Sequence, residues 1–130
     1  NVPVIFTSTN PTNVQKPTFN WNPVSGAVLY GVKLNTNAET TQTATSYTPT
    51  ANLNSGTHII KVRSKDSADN WSAYGTLDIV IDTIPPLTPV LNSPEITDDK
   101  TPTWSWDYES GVSFYELKES SLFGFIRLPY

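Results

Sequence analysis

Pro17-Thr18-Phe19-Asn20-Trp21-Asn22-Pro23-Val24-Ser25-Gly26-Ala27-Val28-Leu29-Tyr30-Gly31-Val32-Lys33-Leu34 decides the fold class, because its apolar residues recur at every second position on both sides of a turn. Phe19 and Trp21 share one face, with Thr18, Asn20 and Asn22 on the other; Tyr30, Val32 and Leu34 alternate in the same way with Gly31, Lys33 and Asn35. That period of two belongs to a half-buried strand and not to a helix. The turn signal Pro23-Val24-Ser25-Gly26 places the two strands in hairpin relation. Further along, His58, Ile60, Val62 and Ser64 alternate with Ile59, Lys61 and Arg63, and Leu77, Ile79 and Ile81 mark a closing strand. Shorter strands are expected at Val2 to Thr7, at Thr40 to Thr43 and around Tyr47, which brings residues 1–84 to about seven. The core predicted from these faces is Phe19, Trp21, Tyr30, Val32, Leu34, Tyr47, Leu53, His58, Ile60, Val62, Leu77, Ile79 and Ile81.

Composition agrees with an all-β reading and removes several functions. The 130 residues include 11 prolines, which leave no stretch for a helix of average length. There is no Cys and one His, so a disulfide framework, a thiolate nucleophile and a Cys- or His-rich metal site are excluded. No cofactor is expected. Eight Lys and Arg against twelve Asp and Glu give a net charge of -4, which argues against a phosphate-tracking face and hence against nucleic acid. No apolar run reaches the length of a membrane span, so no membrane insertion is expected, and no signal peptide opens the sequence. The chain begins at Asn1 and not at Met, as expected of a piece of a longer protein.

A shift of 85 positions lays Pro17-Thr18-Phe19-Asn20-Trp21 on Pro102-Thr103-Trp104-Ser105-Trp106, Ser25-Gly26 on Ser110-Gly111, Tyr30 on Tyr115, Val32 on Leu117 and Lys33 on Lys118. Such a period is the size of one sandwich module, well beyond that of a solenoid repeat. The expected organisation is therefore a complete sandwich at 1–84, a proline-rich linker at 85–89 and an incomplete second module at 90–130. Pro85, Pro86 and Pro89 favour extended geometry and a semi-rigid spacer. Equivalence under the repeat also assigns Trp21, Trp104 and Trp106 to the inward face of one strand. The second copy reaches only its third strand, and Leu122 to Tyr130 has no counterpart in the first. It should leave an open sheet edge and an uncovered apolar face, which the last twelve residues cap, or which stays partly disordered, or which pairs with another molecule.

Three stretches carry a resemblance to the bacterial Ig-like or fibronectin type III-like modules found in tandem in surface and secreted proteins. They are the Pro-Thr-aromatic-x-Trp strand with Tyr30 nine residues after Trp21, the run Leu53 to Asp66, and Asp66-Ser67-Ala68-Asp69-Asn70-Trp71-Ser72 with the junction Asp82-Thr83-Ile84-Pro85-Pro86. The resemblance implies an Ig-like (fibronectin type III-like) β-sandwich followed by the N-terminal part of a second. It also implies an extracellular or cell-surface setting, with neighbouring Ig-like modules of the same parent chain as partners. Two positions depart from the pattern: His58 stands where many relatives have a corner tyrosine, and Asp69 where a glycine is common.

The function expected is a non-enzymatic structural or spacer module that presents other domains. The alternative is an adhesin or carbohydrate-binding accessory module, with a glycan or a host or cell-surface protein as partner. Its contacts would be Trp71, a loop aromatic, with Asn70 and Tyr74. A binder requires Trp71 exposed beside a polar groove, whereas a spacer requires it packed against the sandwich end or the Pro85-Pro86 link. No catalytic residue is expected: His58 has no nucleophilic partner. Asp66 and Asp69 would serve as a glycosidase pair only across a cleft. Asp66, Asp69 and Asp82 are weak calcium candidates, but their spacing does not match an EF-hand and Asp in such loops usually serves turns, so no metal is expected. The acidic excess of residues 86–130, including Asp98, Asp99, Asp107, Glu109, Glu116 and Glu119, reads as a solvated face.

Overall fold

The computed structural model describes residues 1–92, 100–101, 103–118 and the strand 126–129. The chain forms two units, Asn1–Ile84 and Pro85–Tyr130. In the first, seven strands form two sheets: β1 (Ile5–Phe6), β2 (Phe19–Trp21), β3 (Ala27–Leu34), β4 (Thr40–Gln42), β5 (Ser46–Tyr47), β6 (Gly56–Asp66) and β7 (Gly75–Ile81). One sheet has the order β1-β2-β5 and the other β4-β3-β6-β7. Every pairing is antiparallel. The strand alternation thus reports the burial pattern correctly. Phe19, Ile60, Val62 and Ile79 are fully buried, and Trp21, Tyr30, Val32, Leu34, Leu53 and Ile81 join them in one core with Ile5. Complete burial of such a side chain contributes about 1.5–3 kcal/mol, so this cluster holds the two sheets together.

The expected hairpin between β2 and β3 does not form; the two strands belong to opposite sheets. Period two requires only that Trp21 and Tyr30 face the same interior, and facing it from opposite sheets satisfies that equally well. Their rings meet edge to face at 5.6 Å, and the Val24 N–H donates to the Tyr30 hydroxyl at 2.9 Å, so the connection crosses the core instead of folding back in one sheet. Three further core expectations, Tyr47, His58 and Leu77, are only half-buried: Tyr47 and Leu77 pack against the core from its edge, and His58 turns its ring to Asn54 and Asn35. The first strand is shorter than its apolar pattern suggests. Its segment crosses β7 so closely that a Cβ on Gly75 would lie 1.9 Å from the Pro3 carbonyl oxygen, which only glycine permits.

The second unit contains β8 (Leu91–Asn92), β9 (Ser105–Trp106), β10 (Phe114–Leu117) and β11 (Ile126–Pro129). Leu91 pairs with Trp106 as Ile5 pairs with Trp21. Trp106 and Tyr115 stand 5.6 Å apart, the Glu109 N–H donates to the Tyr115 hydroxyl at 2.9 Å, and Gly111 has φ +86° where Gly26 has +79°. Positions 85 residues apart therefore repeat a contact, a hydrogen bond and a left-handed glycine. Burial does not repeat: Trp104, expected in a core, is 37% exposed, whereas its counterpart Phe19 is fully buried. Among the described residues the second unit has no strands in the places of β6 and β7 to cover that face. Leu87 of the proline-rich stretch donates its N–H to Glu109 at 2.9 Å within this unit. The expectations placed on Asp98, Asp99, Glu119 and most of the last twelve residues fall outside the described residues. The strand 126–129 pairs through its backbone with β10. Among the described residues no helix is long and apolar enough to cross a membrane.

Candidate functional site

The outer face of β6 carries Lys61, Arg63 and Lys65, and the residue paired with Arg63 on β3 is Gly31. Because position 31 has no side chain, Glu39 from the connection after β3 can lie across the strand there. A Cβ on Gly31 would sit 2.7–2.9 Å from the Glu39 carboxylate. The guanidinium of Arg63 donates from Nε to Glu39 Oε2 at 2.9 Å and from Nη2 to Oε1 at 2.6 Å, a bidentate pair. The Tyr74 hydroxyl donates to the same Oε2. Above the guanidinium carbon lie two rings, Trp71 with its centroid at 4.3 Å and Tyr74 at 5.0 Å, while the Lys65 ammonium is 5.6 Å from the Trp71 ring. Two aromatics, two cations and one carboxylate thus form a ladder of cation–π contacts across the sheet.

A closed loop delivers Trp71 to this ladder. Asp66, the last residue of β6, accepts the N–H groups of Ala68 and Asn70 at 2.9 Å on Oδ1 and the Asn70 side-chain amide at 3.1 Å on Oδ2. Its own N–H donates to the Asn70 carbonyl at 3.0 Å. Asp69 takes the left-handed conformation with φ +64°, which glycine adopts most readily. Its carboxylate meets Lys65 at 2.7 Å. The chain then returns to place Trp71 opposite Lys65 in an antiparallel bridge, on the face of Arg63.

Charge follows from these contacts. The Arg63 hydrogen bond holds the Glu39 carboxyl below its ordinary 4.5, against an opposing effect of burial and with help from Tyr74. The same bonds raise Arg63 and Tyr74. The Asn70 backbone N–H, followed by its side-chain amide, depresses Asp66.

The structure therefore brings Trp71 and Tyr74 together over Arg63, while Asn70, its amide held by Asp66, borders with Trp71 the cavity at the end of the sandwich. Arg63, Glu39 and Lys65 complete the group and were missed by sequence reasoning. Glu39 carries no local signal, since only the three-dimensional path over Gly31 brings it there. A cavity of about 340 Å³ opens beside Trp71 at the end of the sandwich, bordered by Asn1, Val24, Ser64, Asp66 and Ser72. Ser64 and Ser72 hydroxyls are 3.2 Å apart inside it, and Ser64 donates to the Asn1 carbonyl at 2.9 Å. The calcium candidates are not brought together. Asp66 ends β6, whereas Asp82 follows Ile81, which pairs with Gly56 at the other end of the same strand. At about 3.3 Å per residue those ends are about 30 Å apart. No group of three His, Cys, Asp or Glu among the described residues is placed to hold a metal. His58 sits beside a turn, with Nε2 2.8 Å from the Asn54 carbonyl and Nδ1 2.9 Å from the Asn35 amide nitrogen.

Compared with known families, residues 6–83 match the sequence profile described as bacterial Ig-like domain. No curated protein matches the chain.

Proposed function

The chain belongs to the bacterial Ig-like domain family, and from that premise we propose that it is a non-enzymatic spacer module of an exported bacterial protein, acting at the cell surface or in the secreted phase. Its work is mechanical: a rigid sandwich, linked to neighbouring Ig-like modules, holds other domains at a set reach. The observation that carries this reading is the ladder on the outer face. Trp71, the residue with the strongest claim to a ligand, is half-buried and spends a ring face on Arg63, whose charge is itself taken up by Glu39. A side chain with its partners already supplied by the same domain stabilises that domain. The recurrence of the Trp–Tyr contact and its hydrogen bond at a distance of 85 residues supports a tandem parent chain, with residues 85–130 opening a second module.

One observation favours the alternative, a glycan-binding module. The cavity of about 340 Å³ beside Trp71 falls within the size range of small-ligand sites. A pull-down on insoluble polysaccharides and immobilised glycans, with a melting curve for the chain and for Trp71→Ala, separates the two. The spacer reading expects no retention, and a melting temperature lowered by about 5 °C or more in Trp71→Ala, as the cation–π contacts disappear. Retention that Trp71→Ala abolishes without lowering the melting temperature establishes the binding module in its place.

A further inference from the structure

Strand β7 lies at the edge of its sheet, and residues 10–12 take up the backbone groups that such an edge leaves unpaired. The Thr12 N–H donates to the Val80 carbonyl at 3.0 Å and the Asp82 N–H to the Thr12 carbonyl at 2.9 Å, in a parallel bridge between Thr12 and Ile81. One step upstream the ladder loses its donor, because Pro11 has no N–H. The Asn10 side chain continues it instead. Its Nδ2 donates to the Asp78 carbonyl at 2.9 Å and its Oδ1 accepts the Val80 N–H at 3.0 Å, so a side-chain amide stands in for a peptide unit. Beyond the bridge, the Val14 N–H donates to Thr12 Oγ1 at 3.1 Å and holds the turn.

Direction decides what these four bonds can do. Strand β7 runs from Gly75, opposite Val62, to Ile81, opposite Gly56. Asn1 lies toward the first of these ends, where its carbonyl accepts the Ser64 hydroxyl at 2.9 Å, and Asp82 leaves at the second. Because residues 10–12 run parallel to β7, tension on the chain before Asn10 and after Asp82 pulls the two segments in opposite directions along one axis. The four bonds then lie across the load and give way together. An antiparallel pairing would put both exits at one end, and the same pull would open the bonds one at a time. Resting on the spacer reading, we infer that residues 10–12 and β7 form a shear clamp through which the module bears tension, with the Asn10 amide supplying two of its four bonds. Cover for a sheet edge needs no particular direction, whereas a clamp is defined by one.

The test reads that direction. The chain has no Cys, so introduced ones give unique attachment points for single-molecule pulling of the full chain. Asn1→Cys with Ile84→Cys loads the clamp in shear, while Asn13→Cys with Ile84→Cys places both handles at one end and peels it. At equal loading rate the first pair should withstand the larger force. Across that pair, Asn10→Ala should speed unfolding at a fixed force about tenfold, the effect of two hydrogen bonds lost from the barrier, and across the second pair by clearly less. His58→Phe is the control, since the bonds it removes lie outside the clamp and are intact when the clamp breaks. It should lower the melting temperature yet leave the rate at fixed force within about twofold of the parent's. Equal forces in the two directions overturn the inference. So does an Asn10→Ala chain that unfolds under load at the parent's rate, or a His58→Phe chain that weakens under load as much as Asn10→Ala does. None of these outcomes touches retention on glycans, so failure of the clamp and failure of the spacer reading are distinguishable.

Discussion

At His58 an imidazole ties the start of β6 to the turn before it and to the end of β3. With Nε2 facing the Asn54 carbonyl and Nδ1 facing the Asn35 amide, the ring donates on one side and accepts on the other, which fixes one neutral tautomer. A tyrosine at such a corner sends its hydroxyl back to a carbonyl a few residues upstream, and Asn54 lies four residues before His58. His58→Phe leaves both groups without this partner and should cost about 1–3 kcal/mol. His58→Tyr should recover most of that, and thermal melting of the two variants beside the parent checks the order. Asp69 makes the complementary case. Its φ of +64° strains any side chain, while its ion pair with Lys65 is exposed and worth little. Asp69→Gly should hold or raise the melting temperature, and Asp69→Val should lower it by the equivalent of about 1–2 kcal/mol. Both positions were legible in the sequence as departures from a pattern. What the departures do was not, because it depends on Asn35 and Lys65, which come near only when the strands pair.

Across the four-stranded sheet, β3 and β6 act together through the gap at Gly31. Filling the gap with Gly31→Ala puts a Cβ within 2.7–2.9 Å of the Glu39 carboxylate, so the carboxylate must leave Arg63. A pH experiment reads this directly. Glu39 and Asp66 are both depressed in the folded protein, so below their ordinary values, 4.5 and 3.8, the unfolded chain takes up protons before the folded one does. Their stabilisation is therefore present above the ordinary carboxylate range and is lost as the pH falls through it. Urea unfolding at pH 7, 5 and 3 should show stability falling toward the acid end. The fall should be shallower in Gly31→Ala and in Glu39→Gln, with the Asp66 share remaining in both. At this scale alternation made β2, β3, β6 and β7 readable, and with them most of the core. Partner choice was not readable. An inward face at Trp21 and at Tyr30 is compatible with one sheet or two, and the supposed hairpin turned out to be a crossing between sheets. Trp71 drew notice as a loop aromatic, but the Arg63–Glu39 pair that gives it a role is assembled from residues 24 apart.

For the molecule as a whole, the two units differ in how far each completes its own core. Every member of the buried cluster, from Ile5 to Ile81, lies within residues 1–84, and its seven strands supply both sheets. The return of the N-terminal segment is also secured inside this unit, where Thr12 and Asp82 exchange with strand β7 and its end: the Thr12 N–H donates to the Val80 carbonyl at 3.0 Å and the Asp82 N–H to the Thr12 carbonyl at 2.9 Å. The sequence made the division visible through the repeat, although the repeat alone assigned Trp104 the burial of Phe19, a burial that depends on strands and not on the residue. Because every member of this buried cluster among the described residues comes from the first unit itself, a piece comprising residues 1–84 should fold alone. Its thermal unfolding should be a single cooperative transition with a midpoint within about 2 °C of the main transition of the full chain, a shift that corresponds to less than about 0.5 kcal/mol for a domain of this size. Calorimetry of the two proteins checks it. A piece that melts lower by several degrees would mean that residues 85–130 contribute to the first sandwich. A coincident transition identifies residues 1–84 as the mechanical unit on which the spacer reading depends.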